Sequence, residues 1–216
     1  MKALIVGANG QVGKHLVSFI KDQENVEAKV MIRKEEQAPH FKELGVETVM
    51  ADLEGDIPAI AKAAEGVDAI VFTAGSGPKT GDDKTILVDL DGAVKTIEAA
   101  KKAGVKRFIM VSSYDTTREA IQSSDSSFAP YVVAKHYADE WLRATDLDYT
   151  IVHPGALTND SGTGNVNVAT KVEPHDIPRE DVARVILECL VNESTIGKEF
   201  QVVSGDVDVK EAIKSL

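Results

Sequence analysis

Short apolar runs alternate with longer amphipathic stretches along this chain of 216 residues. ALIVGA (3–8) precedes a helical period over Gln11 to Gln23, AKVMIR (28–33) one over Glu35 to Leu44, and TVMADL (48–53) one over Ile57 to Glu65. AIVFTAG (69–75) then leads to a long helical pattern from about Asp82 to Lys102, FIMVSS (108–113) to a helix from about Tyr131 to Thr145, and YTIVHPG (149–155) closes the series. The apolar runs are continuous, not alternating, which implies burial on both faces, as in a parallel sheet sandwiched by helices. The pattern predicts an α/β fold, a doubly wound parallel sheet with helices on both faces, as one domain over 1–216 with no internal repeat or separating linker. After Pro154 it predicts a polar loop, a helix entered through IPREDVA, the strand FQVVSG and a terminal helix.

Two segments break the alternation. Asp115 to Pro130 and Thr158 to Val168 are rich in Ser, Asn, Asp and Gly and lack either period, so both read as loops. Each follows the carboxyl end of an expected strand, where open α/β sheets bind ligands. A substrate rim is therefore expected mainly over 115–130 and 155–180.

Composition narrows the function. With 43% hydrophobic and 27% charged residues the chain can bury a core, which excludes disorder over most of it. The balance of 24 Lys and Arg against 35 Asp and Glu argues against a nucleic-acid partner, because a phosphate-backbone footprint needs clustered cations. The longest apolar runs fall far short of the roughly 20 residues that span a bilayer, and the first lacks a signal-peptide cleavage site. Cys189 is the one cysteine and lies in the apolar run VARVILECLV, so a buried structural thiol in a reducing cytoplasm is expected.

The chemistry begins directly after the first strand, with Gly7-Ala8-Asn9-Gly10-Gln11-Val12-Gly13 opening a helix. Glycines there allow a sharp turn, a close approach of backbone to a pyrophosphate, and tight packing of helix on sheet, while the helix N-terminus meets the negative charge. The spacing is GxxGxxG, and its position at the start of a βαβ series points to a dinucleotide. Arg33 and Lys34 end the second strand, where a basic residue pairs with the 2′-phosphate of NADP and an acid would hold the ribose of NAD. Glu27 stands at the wrong end of that strand, and Glu35 and Glu36 open the next helix. NADP is therefore the expected cofactor, with NAD the alternative. At the third strand's end Asp52 and Leu53 suit the adenine, and at the fourth Thr73, Ala74 and Gly75 let a cofactor lie against backbone.

The fifth strand ends at Ser112-Ser113, and Tyr131-Val-Val-Ala-Lys135 follows on a helix, its tyrosine and lysine one turn apart on one face. An ammonium near a phenol stabilises the phenolate and makes proton exchange with a substrate oxygen feasible. Either serine could orient that oxygen.

GANGQVG, the DL of MADLEG, FTAGSG, FIMVSS, YVVAK and the HPG of YTIVHPG occur in an order that resembles the short-chain dehydrogenase/reductase superfamily, in its atypical branch of small NAD-dependent epimerase/dehydratase-like proteins. The resemblance covers nearly the whole chain. It implies an enzyme: an NADP-dependent oxidoreductase acting on a small carbonyl or alcohol, with Tyr131 as general acid/base, Lys135 serving both the phenol and the nicotinamide ribose, Ser113 orienting substrate, and Pro154 beside the cofactor. It implies no metal ligand, and a monomer or homodimer. Atypical relatives also suggest an NADPH-dependent flavin or tetrapyrrole reductase, or a non-catalytic NADP(H) sensor. His153 departs from the family's usual arginine and is expected to be a hydrogen-bonded strand-end residue. About 60 residues follow Pro154, too few for the substrate domain of typical sugar epimerases.

Overall fold

The computed structural model describes residues 1–77 and 79–216. The chain opens with β1 (Lys2–Val6), α1 (Gln11–Lys21) and β2 (Glu27–Ile32), then a 3-10 turn at Glu35–Gln37, α2 (Ala38–Glu43), β3 (Glu47–Met50), α3 (Ile57–Ala63) and β4 (Ala69–Phe72). One continuous helical stretch follows, made of α4 (Asp82–Lys84), a π-helical segment at Thr85–Leu90 and α5 (Asp91–Ala103). Next come β5 (Arg107–Val111), α6 (Arg118–Ser123), α7 (Ala129–Arg143) and β6 (Asp148–Pro154). The last part contains β7 (Ala156–Thr158), β8 (Asn165–Ala169), β9 (Asp176–Pro178), α8 (Arg179–Val191), β10 (Lys198–Ser204), β11 (Val207–Asp208) and α9 (Val209–Lys214).

The main sheet has the order β11-β8-β10-β6-β5-β4-β1-β2-β3. From β10 to β3 all neighbours are parallel, while β8 pairs antiparallel with β10 and β11 with β8. Successive residues of each central strand enter opposite cores, which is why the runs are continuously apolar. Ala3, Ile5, Val30, Ile32, Val71, Ile109 and Val152 pack with α1, α8 and α9. Leu4, Val6, Met31, Ile70, Phe72, Phe108 and Ile151 pack with α3, α5 and α7. The order reverses at β1, between β2 and β4, and a ligand crevice opens outside the carboxyl ends there.

Both segments expected to be loops carry regular structure. In the first, α6 forms because Thr117 Oγ1 accepts the Ala120 N–H at 3.2 Å, an N-cap that outweighs a run too short to show a period. The second start, that of α7, comes two residues earlier than the pattern predicts. Pro130 is accommodated in its first turn, where no backbone donor is needed. In the other segment β8 forms on Val166 and Val168, which alternate with Asn165 and Asn167 as an outer strand on β10. Cys189 is fully buried, as expected, and burial pushes its thiol up to about 12, which removes it as a nucleophile at neutral pH.

Candidate active site

The glycines of the first turn answer to different demands. Gly7 adopts φ +90, and a Cβ there would lie 2.5 Å from the Ala74 nitrogen. A Cβ on Gly13 would lie 2.5 Å from the Gly7 oxygen and 2.7 Å from Ala8 Cα, so these two positions are fixed by the packing of the turn itself. Gly10 would meet only the Gly7 oxygen, at 3.1 Å. It is the N-cap of α1 and provides no side-chain cap, so the first-turn N–H groups that lack intrahelical partners remain available to an anion. Val12 and Gly13 are buried, and Gln11 is exposed.

A cavity of about 520 Å³ opens over this turn. Its wall includes Gly7, Asn9 and Gly10 from the turn, Arg33 after β2, Asp52 and Leu53 after β3, and Thr73, Ala74 and Gly75 after β4. Nine of the residues predicted to bind the cofactor therefore line one space, while Gln11, Val12, Gly13 and Lys135 are not in its wall. Lys34 is not part of that wall; it is exposed, its Nζ 3.5 Å from Glu36. Thr73 donates both its N–H and its hydroxyl to the Val6 carbonyl, at 2.9 and 3.1 Å, tying the ends of β4 and β1 together.

Residues that the sequence reading did not single out complete this wall. Gln37 Oε1 accepts the N–H groups of Arg33 and Lys34 at 3.0 and 3.2 Å and so holds the end of β2. Lys84 Nζ reaches Glu54 at 2.6 Å, and this hydrogen bond raises the lysine's pKa. From the π-helical segment, buried Asp89 accepts the Ser76 N–H at 2.9 Å and fixes the chain after Gly75. Such segments recur at functional sites, but the helical period alone does not reveal one.

Lys135 is buried, its Nζ donating to the Val111 carbonyl at 3.0 Å and lying 5.9 Å from the Phe72 ring centre and 6.0 Å from that of Tyr131. The ammonium thus stands at the carboxyl ends of β4 and β5, one turn along α7 from the half-buried tyrosine. A second cavity, of about 690 Å³, is lined by Ser113, by Phe128 and Val132 on either side of Tyr131 in sequence, and by Pro154. Pro154 therefore belongs to this second wall, and the first cavity's wall does not include it. The Tyr131 ring packs on Phe128 at 5.3 Å between centres.

Behind the serines lies a buried polar network. Asp139, one turn beyond Lys135 on α7, accepts hydrogen bonds from Ser112 Oγ at 2.6 Å and Thr116 Oγ1 at 2.9 Å. Burial raises its carboxyl above the ordinary range, against the pull of His153, both hydroxyls and Lys135. His153 is buried at the end of β6, as expected of a hydrogen-bonded strand-end residue: its Nδ1 lies 2.6 Å from the Ser113 carbonyl and its Nε2 2.7 Å from Glu199. Arg143 also bonds Glu199, through Nε at 2.9 Å and through Nη2. Burial works against a charge on His153, but Glu199, Asp139 and the Ser113 carbonyl outweigh it and raise its pKa above 6.5. Burial likewise opposes ionisation of Glu199, yet His153 and Arg143 hold it at about 2.

Among the described residues no cluster of His, Cys, Asp and Glu is disposed to hold a metal, and no helix is long and apolar enough to cross a membrane. A family profile described as NAD(P)H-binding matches residues 7–193, which include the glycine turn, the first cavity and the Tyr131–Lys135 pair. A Bacillus subtilis protein described as an uncharacterized sugar epimerase, YhfK, is 48% identical over 216 residues, 100% of both chains. The solved structure of a Bacillus halodurans protein, described as a "putative NAD-dependent epimerase/dehydratase", is 45% identical with a TM-score of 0.94 and full coverage of both chains. That of the oxidoreductase ylbE from Lactococcus lactis is 36% identical with a TM-score of 0.90, covering 100% of this chain and 96% of its own. With a glycine cradle that side chains would fill and a crevice at the reversal of its strand order, the chain belongs to the NAD(P)H-binding family of Rossmann-type proteins, among relatives described as oxidoreductases and epimerases.

Proposed function

We propose that the protein is an NADP-dependent oxidoreductase of the atypical short-chain dehydrogenase/reductase type, exchanging a hydride with a small carbonyl or alcohol substrate. The observation that carries this reading is the placement of Lys135 Nζ on the Val111 carbonyl, beside Tyr131 and directly before the serine pair. In this reading Tyr131 is the acid/base group and Lys135 its supporting cation, supported by their place at the carboxyl end of β5, where Ser113 lines the second cavity.

In this reading the backbone of Gly7 to Gly13 and the start of α1 hold the pyrophosphate, Asp52 and Leu53 the adenine, and Thr73 to Gly75 the adjoining ribose. Arg33 meets the 2′-phosphate. The bound dinucleotide supplies or accepts the hydride at its nicotinamide. In the reductive direction Ser113 orients the substrate carbonyl oxygen, Tyr131 gives that oxygen its phenolic proton as the carbon receives hydride, and Lys135 stabilises the phenolate left behind. The products are an alcohol and the oxidised cofactor, and the phenol regains its proton from solvent.

The test compares wild type with Tyr131→Phe and Lys135→Ala on a panel of carbonyl compounds and on free flavin, with dinucleotide affinity measured in parallel. Tyr131→Phe should keep its affinity for NADPH and lose roughly 100-fold or more in carbonyl turnover. Lys135→Ala should lose turnover and bind the cofactor more weakly. Activity on flavin that survives Tyr131→Phe would assign a flavin-type reductase instead, and turnover with no acceptor, alongside NADPH binding, would assign a sensor.

A further inference from the structure

The second cavity has the size of a small-molecule site, and its wall divides into two chemistries. Phe128, Val132, Pro154, Ala156 and Pro174 give it apolar lining, and Asp115 and Glu119 line it as well. Among the described residues no Lys or Arg lines it, and the His175 imidazole already pairs with Asp176 at 2.6 Å. Asp115 is held in place, its Oδ1 accepting the N–H and hydroxyl of Thr117 at 2.9 and 2.7 Å. Thr117 in turn caps α6, which carries Glu119 in its first turn, so one helix start presents both carboxylates.

The helix starts beside this cavity carry few free donors: α7 opens with Ala129, whose N–H bonds the Asp125 carbonyl, and with Pro130, which has none. Thr117 Oγ1 takes the Ala120 N–H of α6, and Asp125 Oδ1 takes the N–H groups of Ser127 and Phe128, at 2.9 and 3.0 Å, leading into α7. A Cβ on Gly155 would lie 2.0 Å from the His175 oxygen, so these two lining backbones are packed in direct contact. Proteins recognise phosphates and carboxylates with guanidinium, ammonium or free helix-start N–H groups. No guanidinium or ammonium lines the cavity among the described residues, and α6 places the Glu119 carboxylate in its own first turn.

Resting on the oxidoreductase reading of this same site, we infer that the substrate is an uncharged or cationic carbonyl or alcohol with an apolar body. The body lies against Phe128 and Val132, and any positive group turns toward Asp115 and Glu119. Substrates anchored by a nucleoside diphosphate or a carboxylate are disfavoured, because away from Lys135 their charge would meet two carboxylates in this wall and no Lys or Arg.

The test uses the full chain with saturating NADPH and three cinnamaldehydes that differ only in the para group: methoxy, trimethylammonium or carboxylate. Three matching cinnamamides, which are not reduced, serve as binding probes by ligand-observed NMR with NADP⁺ present. The methoxy and trimethylammonium probes should bind at least about tenfold more tightly than the carboxylate, and kcat/KM of the aldehydes should follow the same order. In Asp115→Asn/Glu119→Gln the ratio of cation to carboxylate should fall to within about threefold, since the amides keep the caps and remove the charge. A carboxylate probe that binds as well as the neutral one overturns the inference, as does a ratio unchanged in the double variant or binding by none of the probes. The expected order of binding without reduction of any aldehyde would refute the oxidoreductase reading and leave the charge rule standing.

Discussion

Ser112 Oγ donates a 2.6 Å hydrogen bond to Asp139 Oδ2, which commits Ser112 to the protein interior while Ser113 lines the second cavity. Neighbouring residues at a strand end point to opposite sides, so only one of the pair can serve the substrate. Ser113→Ala should therefore lower carbonyl turnover at least about tenfold and change stability by no more than about 0.5 kcal/mol. Ser112→Ala should cost about 1–3 kcal/mol in urea unfolding, because it strips a buried carboxylate of one of its two hydroxyl donors. A larger rate loss in Ser112→Ala than in Ser113→Ala would reverse the assignment.

The glycine turn separates folding from binding. Gly10→Val has only the Gly7 oxygen to displace, at 3.1 Å, and its side chain projects where a pyrophosphate would lie on the start of α1. It should retain a cooperative thermal transition and show no measurable dinucleotide binding by calorimetry. Gly13→Val would drive Cβ into backbone at 2.5 and 2.7 Å, and should destabilise the protein by several kcal/mol or yield no soluble chain. Normal binding by Gly10→Val would remove the phosphate-turn role.

Arg33 lies in the wall of the first cavity, as does Lys84, tethered to Glu54 at 2.6 Å. If the 2′-phosphate sits there, Arg33→Ala should weaken NADPH roughly 10- to 100-fold and NADH less than about threefold. Glu54→Gln, by releasing Lys84 from its carboxylate partner, should tighten NADPH a few-fold. Side-by-side dissociation constants decide it: tighter NADH binding in wild type, unaffected by Arg33→Ala, is the contrary result.

What could be read from the sequence was what repeats along it or sits at a fixed offset. The strands show because Leu4 and Ile5, or Ile70 and Val71, fill opposite cores, and the turn shows because Gly7 and Gly13 have no room for a side chain. The Tyr131–Lys135 pair shows because one helical turn separates the two. Lys84 and Glu54 lie 30 positions apart and Arg143 and Glu199 lie 56 apart, so neither pair has a local signature. Nor does α6, whose support is a single threonine cap. The Ser112–Asp139 hydrogen bond has no local signature either, since Asp139 reads in sequence as an ordinary helix acid.

The Arg143–Glu199–His153 cluster should make stability depend on pH from both sides. Glu199 is depressed from 4.5 to about 2, so the stability it contributes is complete above 4.5 and is lost as pH falls through about 2. His153 is raised above 6.5, so its contribution is complete below 6.5 and is lost as pH rises through the folded-state value. The cluster is consequently at full strength between about 4.5 and 6.5. Asp139, which faces His153 and has a raised pKa, works in the opposite sense to Glu199: its contribution is greatest in acid and declines as the carboxyl ionises. The shift on Glu199 is nominally about 3 kcal/mol, but its side chain is 34% exposed, and screening reduces this to on the order of 1–2 kcal/mol. Urea unfolding of wild type and Glu199→Gln from pH 4 to 8 (roughly the range over which such groups titrate) measures the difference directly. It should be largest in the window and shrink toward pH 8, because the variant removes the partner that keeps His153 charged. A difference that stays constant across the range would mean that His153 does not titrate within it, and would remove the alkaline edge of the window.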